Sequence, residues 1–385
     1  MSLFERLSEA SRRNALPGVV AYNRIDGPGS SLDLREFQEA FWRLPFIPRN
    51  LREDPAATWS KNLPRTVGIT ISTGTRVDAK PHPEGPGRIG VRSAEYLAEE
   101  TDGEPGAIPP TKGNWLLKIV DLFGLSGVMF DLHNLHAGTH SAGLGGSATA
   151  ATGVCILANE LAGRPFSDAQ LVAMASLLEQ DLGVSITGTQ EQSNVVFGGV
   201  RDYVWFPWGI PGWREGGYGE SLRFELLPPE FYEDLEQRMV VFHSGKERAS
   251  SSVNSEWRKA LATSDGYAHH RTKLEIAYQY REGIRRRDWD QVHDAITRYR
   301  SVRTRICPAY MEGSTQIVGC AEHHGCTGFP LGAGGGGGVL VFGKETKCLD
   351  DAQKDLVTNG HFHSIRFKIR RKGHELVNLP LQTEA

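Results

Sequence analysis

Gly143-Leu144-Gly145-Gly146-Ser147-Ala148 stands directly before an alanine-rich stretch, residues 147–162, that closes on Gly163 and Pro165. The reading of this junction decides the fold. Alanine favours helix, and a glycine just past the last turn with a proline behind it is a stop signal. The spacing therefore predicts a helix that opens straight out of a glycine loop. Successive glycines let backbone N–H groups turn inward as an anion cradle, and the helix start adds partial positive charge. The hydroxyl of Ser147, in the first turn, can reach a phosphate or its metal ion. The pattern is not the Walker loop, because no Gly-Lys-Ser/Thr follows. Taken by itself the segment also fits a tight glycine turn without a ligand.

The neighbouring sequence continues in the same style. A capping box, Ser167-Asp168-Ala169-Gln170, opens a helix to about Asp181. Glu179 falls late on its otherwise apolar face, where a carboxylate is either solvated or a metal ligand. Gln190, Glu191 and Gln192 come next, before Gly198-Gly199. Upstream, residues 128–135 alternate as a strand, and residues 114–123 form a helical pattern with Trp115, Ile119 and Leu122 on one face. Residues 67–71 and 88–91 also read as strands. Residues 19–25 read as a strand running into a turn at Gly27-Pro28-Gly29, with helix formers over 33–41. Residues 42–65 read as irregular surface or a lid, and 99–113 as a loop. Downstream, residues 206–220 look like a surface excursion at a lobe boundary, and 239–243 like a strand. Residues 273–287 and 289–303 are helical. A second glycine run, residues 332–338, feeds a buried strand over 339–342, and 364–369 reads as a late strand. Glycine next to a buried strand is poor for stability, so a close backbone approach is expected there. Strands and helices mix without strict alternation, which gives an α+β fold.

Composition narrows the function. Of 385 residues, 43 are Lys or Arg and 46 are Asp or Glu, a net charge of −3. So balanced a chain has no field for nucleic acid or an anionic membrane. The 44 glycines make up about 11% of the chain against a usual ~7%, and they cluster at a few places. No run of apolar residues is long enough to span a bilayer, and the first residues do not resemble a secretion signal. Five cysteines imply no disulfide framework, which fits a reducing cytoplasm.

Three segments in order resemble the motifs of the GHMP kinase superfamily. Arg24-Ile25-Asp26-Gly27-Pro28-Gly29-Ser30-Ser31-Leu32-Asp33 is similar to the first motif of its sugar kinases. Gly143-Leu144-Gly145-Gly146-Ser147-Ala148 is similar to its phosphate loop, and residues 332–338 to its third, glycine-rich motif. Gly188-Thr189-Gln190-Glu191-Gln192 with Phe197-Gly198-Gly199, and His243-Ser244-Gly245 with Arg248-Ala249-Ser250, resemble segments of the heptose-7-phosphate 1-kinase and fucokinase type.

The resemblance implies a two-lobed fold with the active site in the cleft between the lobes, an N-terminal ATP-binding domain over 1–225 and a C-terminal domain over 226–385. It implies an ATP- and Mg²⁺-dependent kinase acting on a sugar or sugar phosphate. Gly143, Leu144, Gly145, Gly146, Ser147 and Ala148 would wrap ATP, and Ser147 and Glu179 would hold Mg²⁺. Arg24 and Glu191 would be catalytic. Asp33, Gly188, Gln190, Gly334, Gly335, Gly336, Lys246 and Arg248 would meet the acceptor, the last two meeting a phosphate already on it. The sequence departs from the family in three places. Glu191 stands where the family has an aspartate base, Ser30-Ser31-Leu32-Asp33 lacks the usual double glycine, and Gly146-Ser147 replaces Ser-Ser. Partners are then a small molecule and, as an option, a second copy in a homodimer, with no nucleic acid and no membrane. A kinase of a cyclitol or other alcohol and a non-catalytic ATP and sugar sensor are the alternatives.

Three further groups have plainer readings. Cys320-x-x-His323-His324-x-Cys326 has soft ligands, but four so close rarely close one tetrahedron, so a helix end and loop is expected. Arg285-Arg286-Arg287 reads as a solvated helix end. Trp205, Trp208 and Trp213 fit core packing as well as a sugar platform.

Overall fold

One long strand organises the first lobe. The structure, a computed structural model, describes residues 1–42, 58–97, 101–136, 142–207, 221–246 and 250–379. Its elements in chain order are α1 (Leu3–Arg12), β1 (Gly18–Asp26), α2 (Arg35–Phe41), β2 (Arg65–Pro81), β3 (Ile89–Ser93), β4 (Thr101–Gly103), α3 (Trp115–Leu122), β5 (Val128–Asn134), α4 (Gly146–Leu161), α5 (Asp168–Asp181), α6 (Gln190–Phe197), β6 (Val200–Trp205), β7 (Ser221–Glu225), α7 (Tyr232–Glu236), β8 (Met239–His243), α8 (Ser250–Leu261), α9 (Ser264–Arg286), α10 (Trp289–Ile306), α11 (Thr315–His323), β9 (Thr327–Pro330), β10 (Gly338–Phe342), α12 (Thr346–Thr358), β11 (His363–Ile365) and β12 (His374–Val377). β2 is 17 residues long. Only 67–71 stands out in the sequence, because Ser72, Thr73, Gly74 and Thr75 interrupt the apolar run before Val77 and Ala79 resume it between Arg76, Asp78 and Lys80. Its first half pairs with β6, its second with β5, and β1 lies along both.

The first sheet runs β12-β1-β2-β5-β3-β4, with β6 on β2 and β7 on β6. β3 and β5 are parallel. α3, α4 and α5 pack on it around Val19, Val77, Leu116, Ile119, Val154 and Leu171. On α3 the buried line is Trp115, Leu116, Ile119 and Val120, while Leu122, expected on that face, is 48% exposed. The stretch 99–113, expected as loop, contains the short edge strand β4.

The second sheet is antiparallel, β11-β8-β10-β9, backed by α11 and α12 on one side. Val241 and Leu340 on the other side share a core with α9, α10 and the Ile25–Val67–Ile69 end of the first sheet. That shared core joins the two lobes. The late strand expected over 364–369 is shorter. β11 ends at Ile365, and Ile369 already bridges to Ile71 of the first sheet. The chain then continues into β12, which pairs with β1. No helix among the described residues is long and apolar enough to cross a membrane.

Candidate active site

The phosphate-loop wall is built from consecutive residues. Gly145 caps α4 with φ of 80°, a left-handed backbone that glycine adopts without strain. A Cβ there would also lie 2.9 Å from Glu191 Cγ. Ser147, in the first turn of α4, donates its hydroxyl to Glu179 Oε1 at 2.7 Å. Glu179 is carried by the α5 face that also buries Leu171, Val172, Ala175 and Ser176, and is itself 1% exposed. Ser185 Oγ donates to the same oxygen at 2.9 Å and Gln192 Nε2 to the other at 3.3 Å. Burial outweighs these donors and pushes the Glu179 carboxyl up to about 7. A hidden carboxylate beside hydroxyl oxygens, opening on a cleft, is the hard oxygen set that suits Mg²⁺.

The adjoining wall draws on distant parts of the chain. Arg24, near the end of β1, is buried; its Nη1 donates to Gly143 O at 2.8 Å and lies 3.4 Å from Asp26 Oδ1. Its Nη2 is ion-paired with Glu191 in the first turn of α6. Asp33 is buried and accepts the Gln190 N–H on Oδ2 at 3.0 Å. Burial first, and then the Glu191 charge, push its carboxyl up to about 7. Gly188 packs so tightly here that a Cβ would come within 2.0 Å of Asp33 Oδ2.

Two cations that the motifs do not announce support this wall. Lys273 of α9, fully buried, donates to Ser30 O at 3.2 Å and to Ser31 Oγ at 2.9 Å. It holds Ser31 at φ of 73° and sits over the Phe37 and Trp257 rings. Burial, and the nearby Arg303 charge, pull its pKa well below the usual lysine range. Arg303 of α10 donates to Gly332 O at 2.9 Å and Ala333 O at 3.3 Å, between the rings of Trp257 and Tyr310. Gly332 N–H in turn donates to Asp26 Oδ1 at 3.3 Å. Lys273 shares the helical line of Ala277, Tyr280 and Ile284, all buried, but a lone cation on such a line is by itself no signal of burial.

Arg24, Asp33, residues 143–148, Glu179, Gly188, Gln190, Glu191 and Gly336 line one cleft of about 270 Å³. Gly334 and Gly335 do not line it. Gly334 lies against the Tyr310 ring, and Gly335 N–H donates to Tyr310 O at 2.7 Å. Lys246 accepts the Gly337 N–H on its carbonyl at 2.9 Å, with its own side chain outside the cleft lining. Arg248, Trp208 and Trp213 lie outside the described residues. Trp205 is core, fully buried and stacked on Tyr203. Arg285 and Arg286 pair with Glu282, and Arg287 stands over the Phe231 ring.

Residues 117–199 match the sequence model of the GHMP kinases N terminal domain. No curated protein matches the chain. Among solved structures, the Lin0012 protein from Listeria innocua superposes with a TM-score of 0.70 at 13% identity, covering 94% of this chain and 99% of that one. A D-glycero-D-manno-heptose 1-phosphate kinase from Bacteriodes thetaiotaomicron gives 0.67 at 15% identity, over 94% and 98%. The Lactococcus lactis galactokinase complexed with galactose gives 0.58 at 11%, over 98% and 100%.

Proposed function

We propose that this chain, a member of the GHMP kinase superfamily by its N-terminal domain and its fold, transfers the γ-phosphoryl group of ATP to a sugar or sugar phosphate, at the anomeric hydroxyl. The carrying observation is that the Arg24–Glu191 pair, Asp33 and the Ser147–Glu179 pair line one cleft. The sugar reading draws support from the heptose kinase and galactose-bound galactokinase among the similar structures.

Phosphoryl transfer asks the protein mainly for alignment and charge compensation. The backbone N–H groups of residues 143–147 and the start of α4 face the nucleotide phosphates. Ser147 and Glu179 would hold Mg²⁺, which supplies neutralisation of the phosphate oxygens when bound. Glu191 orients the acceptor hydroxyl and takes its proton, with Arg24 fixing the carboxylate. Asp33 accepts sugar hydroxyls. A phosphate already on the acceptor would reach Lys246, whose side chain lies outside the cleft lining, only at the cleft's rim; Arg248 is kept with it on the resemblance alone. We read the lobes as 1–225 and 226–385, with the tail from Ile369 through β12 crossing back into the first sheet, and the chain as cytoplasmic, in keeping with five free cysteines.

The test is a panel of sugars and sugar phosphates scored by ATP consumption, followed by single-turnover assays with Glu191→Gln and Glu191→Asp on the best acceptor. Turnover should fall with Gln and largely survive with Asp. Equal turnover in wild type and Glu191→Gln would remove Glu191 from the chemistry. No turnover with any acceptor, alongside intact ATP and sugar binding, would favour a sensor.

A further inference from the structure

The cysteine–histidine segment of the second lobe takes no part in the cleft. α11 packs on α12 through Ile317, Val318 and Ala321 against Leu349, Ala352 and Leu356. At the rim of that contact, Cys320 and His324 lie one helical turn apart and face Asp355 of α12. Cys320 Sγ is 3.4 Å from Asp355 Oδ2, and His324 Nε2 is 3.1 Å from the same oxygen. All three ligand atoms lie within 4.8 Å of one another, and all three residues are half-buried. Asp355 Oδ1 is occupied by Asn359 Nδ2 at 2.7 Å, so Oδ2 is the oxygen turned toward the other two. Cys326, the other end of the sequence motif, is buried in the core beneath and is not part of the group.

We propose that Cys320, His324 and Asp355 form a Zn²⁺ site that clamps α11 to α12, with water completing the tetrahedron. The edges fit. Bonds of about 2.0–2.3 Å from Zn²⁺ to sulfur, nitrogen and oxygen place tetrahedral neighbours roughly 3.3–3.8 Å apart, and the observed separations bracket that spacing. The donor set also fits. A thiolate and an imidazole select zinc over magnesium or calcium, whose ligands are oxygens. The Asn359 amide orients the carboxylate from behind, as outer partners do at metal centres. Zn²⁺ takes Cys320 as the thiolate and its proton goes to solvent, so binding strengthens as pH rises. The clamp is far from the phosphate wall in sequence and shares no residue with it, so it does not depend on the kinase reading.

The test uses chelator-treated whole chain without nucleotide. Co²⁺ titration should give one equivalent with tetrahedral visible bands and a thiolate-to-cobalt charge-transfer band, and Zn²⁺ should bleach both. Cys320→Ser should abolish the charge-transfer band. It should also weaken Zn²⁺ by at least the ~10–100-fold that outer-shell partners alone are worth. His324→Gln should weaken it comparably, while Cys348→Ser and Glu179→Gln should leave the band unchanged. Thermal melting should rise with Zn²⁺ in wild type but not in Cys320→Ser. Absence of a sulfur-to-cobalt band in wild type, or its survival in Cys320→Ser, would overturn the proposal.

Discussion

The two walls of the cleft are made in different ways. The phosphate wall is local: Gly145, Ser147 and the first turn of α4 are successive residues, and Glu179 is one helix away. The acceptor wall is assembled. Arg24 comes from β1, Asp33 from the loop beyond it, Glu191 from α6, and Lys273 and Arg303 from helices of the second lobe. A local wall can keep its shape while the rest of the chain changes. An assembled wall transmits any shift of α9 or α10 straight to the acceptor. The glycine loop is itself tied to the second lobe, Gly338 N–H donating to Ala142 O at 3.0 Å; nucleotide binding should therefore answer to shifts of β10, and acceptor binding to shifts of α9 and α10.

The sharpest way to probe the division is at its seam, where the Arg24–Glu191 pair meets Gly143 and Gly145. Glu191→Gln is expected to lower kcat by ~10²–10⁴-fold, the worth of general-base help, with both KM values nearly unchanged; steady-state kinetics against each substrate reads this out. Gly145→Val comes next. It should weaken ATP by ~10-fold or more through the clash with Glu191 and the strained φ, a cost of about 1–3 kcal/mol, while acceptor affinity measured without nucleotide holds. If calorimetry shows both affinities moving together, the walls are not separate.

Lys273→Met tests the other side. Two hydrogen bonds from the buried Lys273 amine to the Ser30–Ser31 turn disappear, each worth about 0.5–1.5 kcal/mol. The acceptor KM should rise ~10-fold or more while the ATP KM stays put. Lys273→Arg should not rescue fully, since the aromatic slot is filled. A rise in the ATP KM of equal size would contradict the division.

The smallest expected effect is in the pH dependence of stability. Glu179 and Asp33 both hold their protons up to about 7 in the folded chain, whereas unfolded carboxylates lose them near ~4. Between those values the folded state carries more protons, so stability falls as pH rises through the window. Calorimetric melting of metal-free protein should show that decline, Glu179→Gln should flatten it, and MgATP should offset it. A melting temperature that climbs steadily from pH 5 to pH 7 would refute the direction of both shifts.

What the sequence disclosed follows the same division. The Gly143–Ser147 loop, the helix after it and the capping box at Ser167 are all short-range patterns, and they appear in the structure where the spacing places them. Glu179 was visible as an acid on an apolar face. Lys273 and Arg303 were not, because a lone cation on a helical line is usually solvated, and only packing from Trp257 and Tyr310 makes these two otherwise. The second half of β2 was hidden for the converse reason. Its polar residues face neighbours such as Asp131 of β5, which salt-bridges Arg92 and Lys80. The path from β11 back to β1 leaves no periodic trace at all.

That return path has a consequence for how the molecule comes into being. β12 covers the outer edge of β1, pairing Gly18 with Val377 and Ala21 with His374, so the strand that carries Arg24 is flanked on both sides only when the tail arrives. On the ribosome the first lobe is synthesised long before residue 374, and at about 5–20 residues per second its β1 edge stays unpaired for many seconds. An open edge of that kind is a template for wrong partners. Nascent chains should therefore depend on a chaperone or on a slow final annealing step, and the cleft matures last, once residues 374–377 have paired with β1.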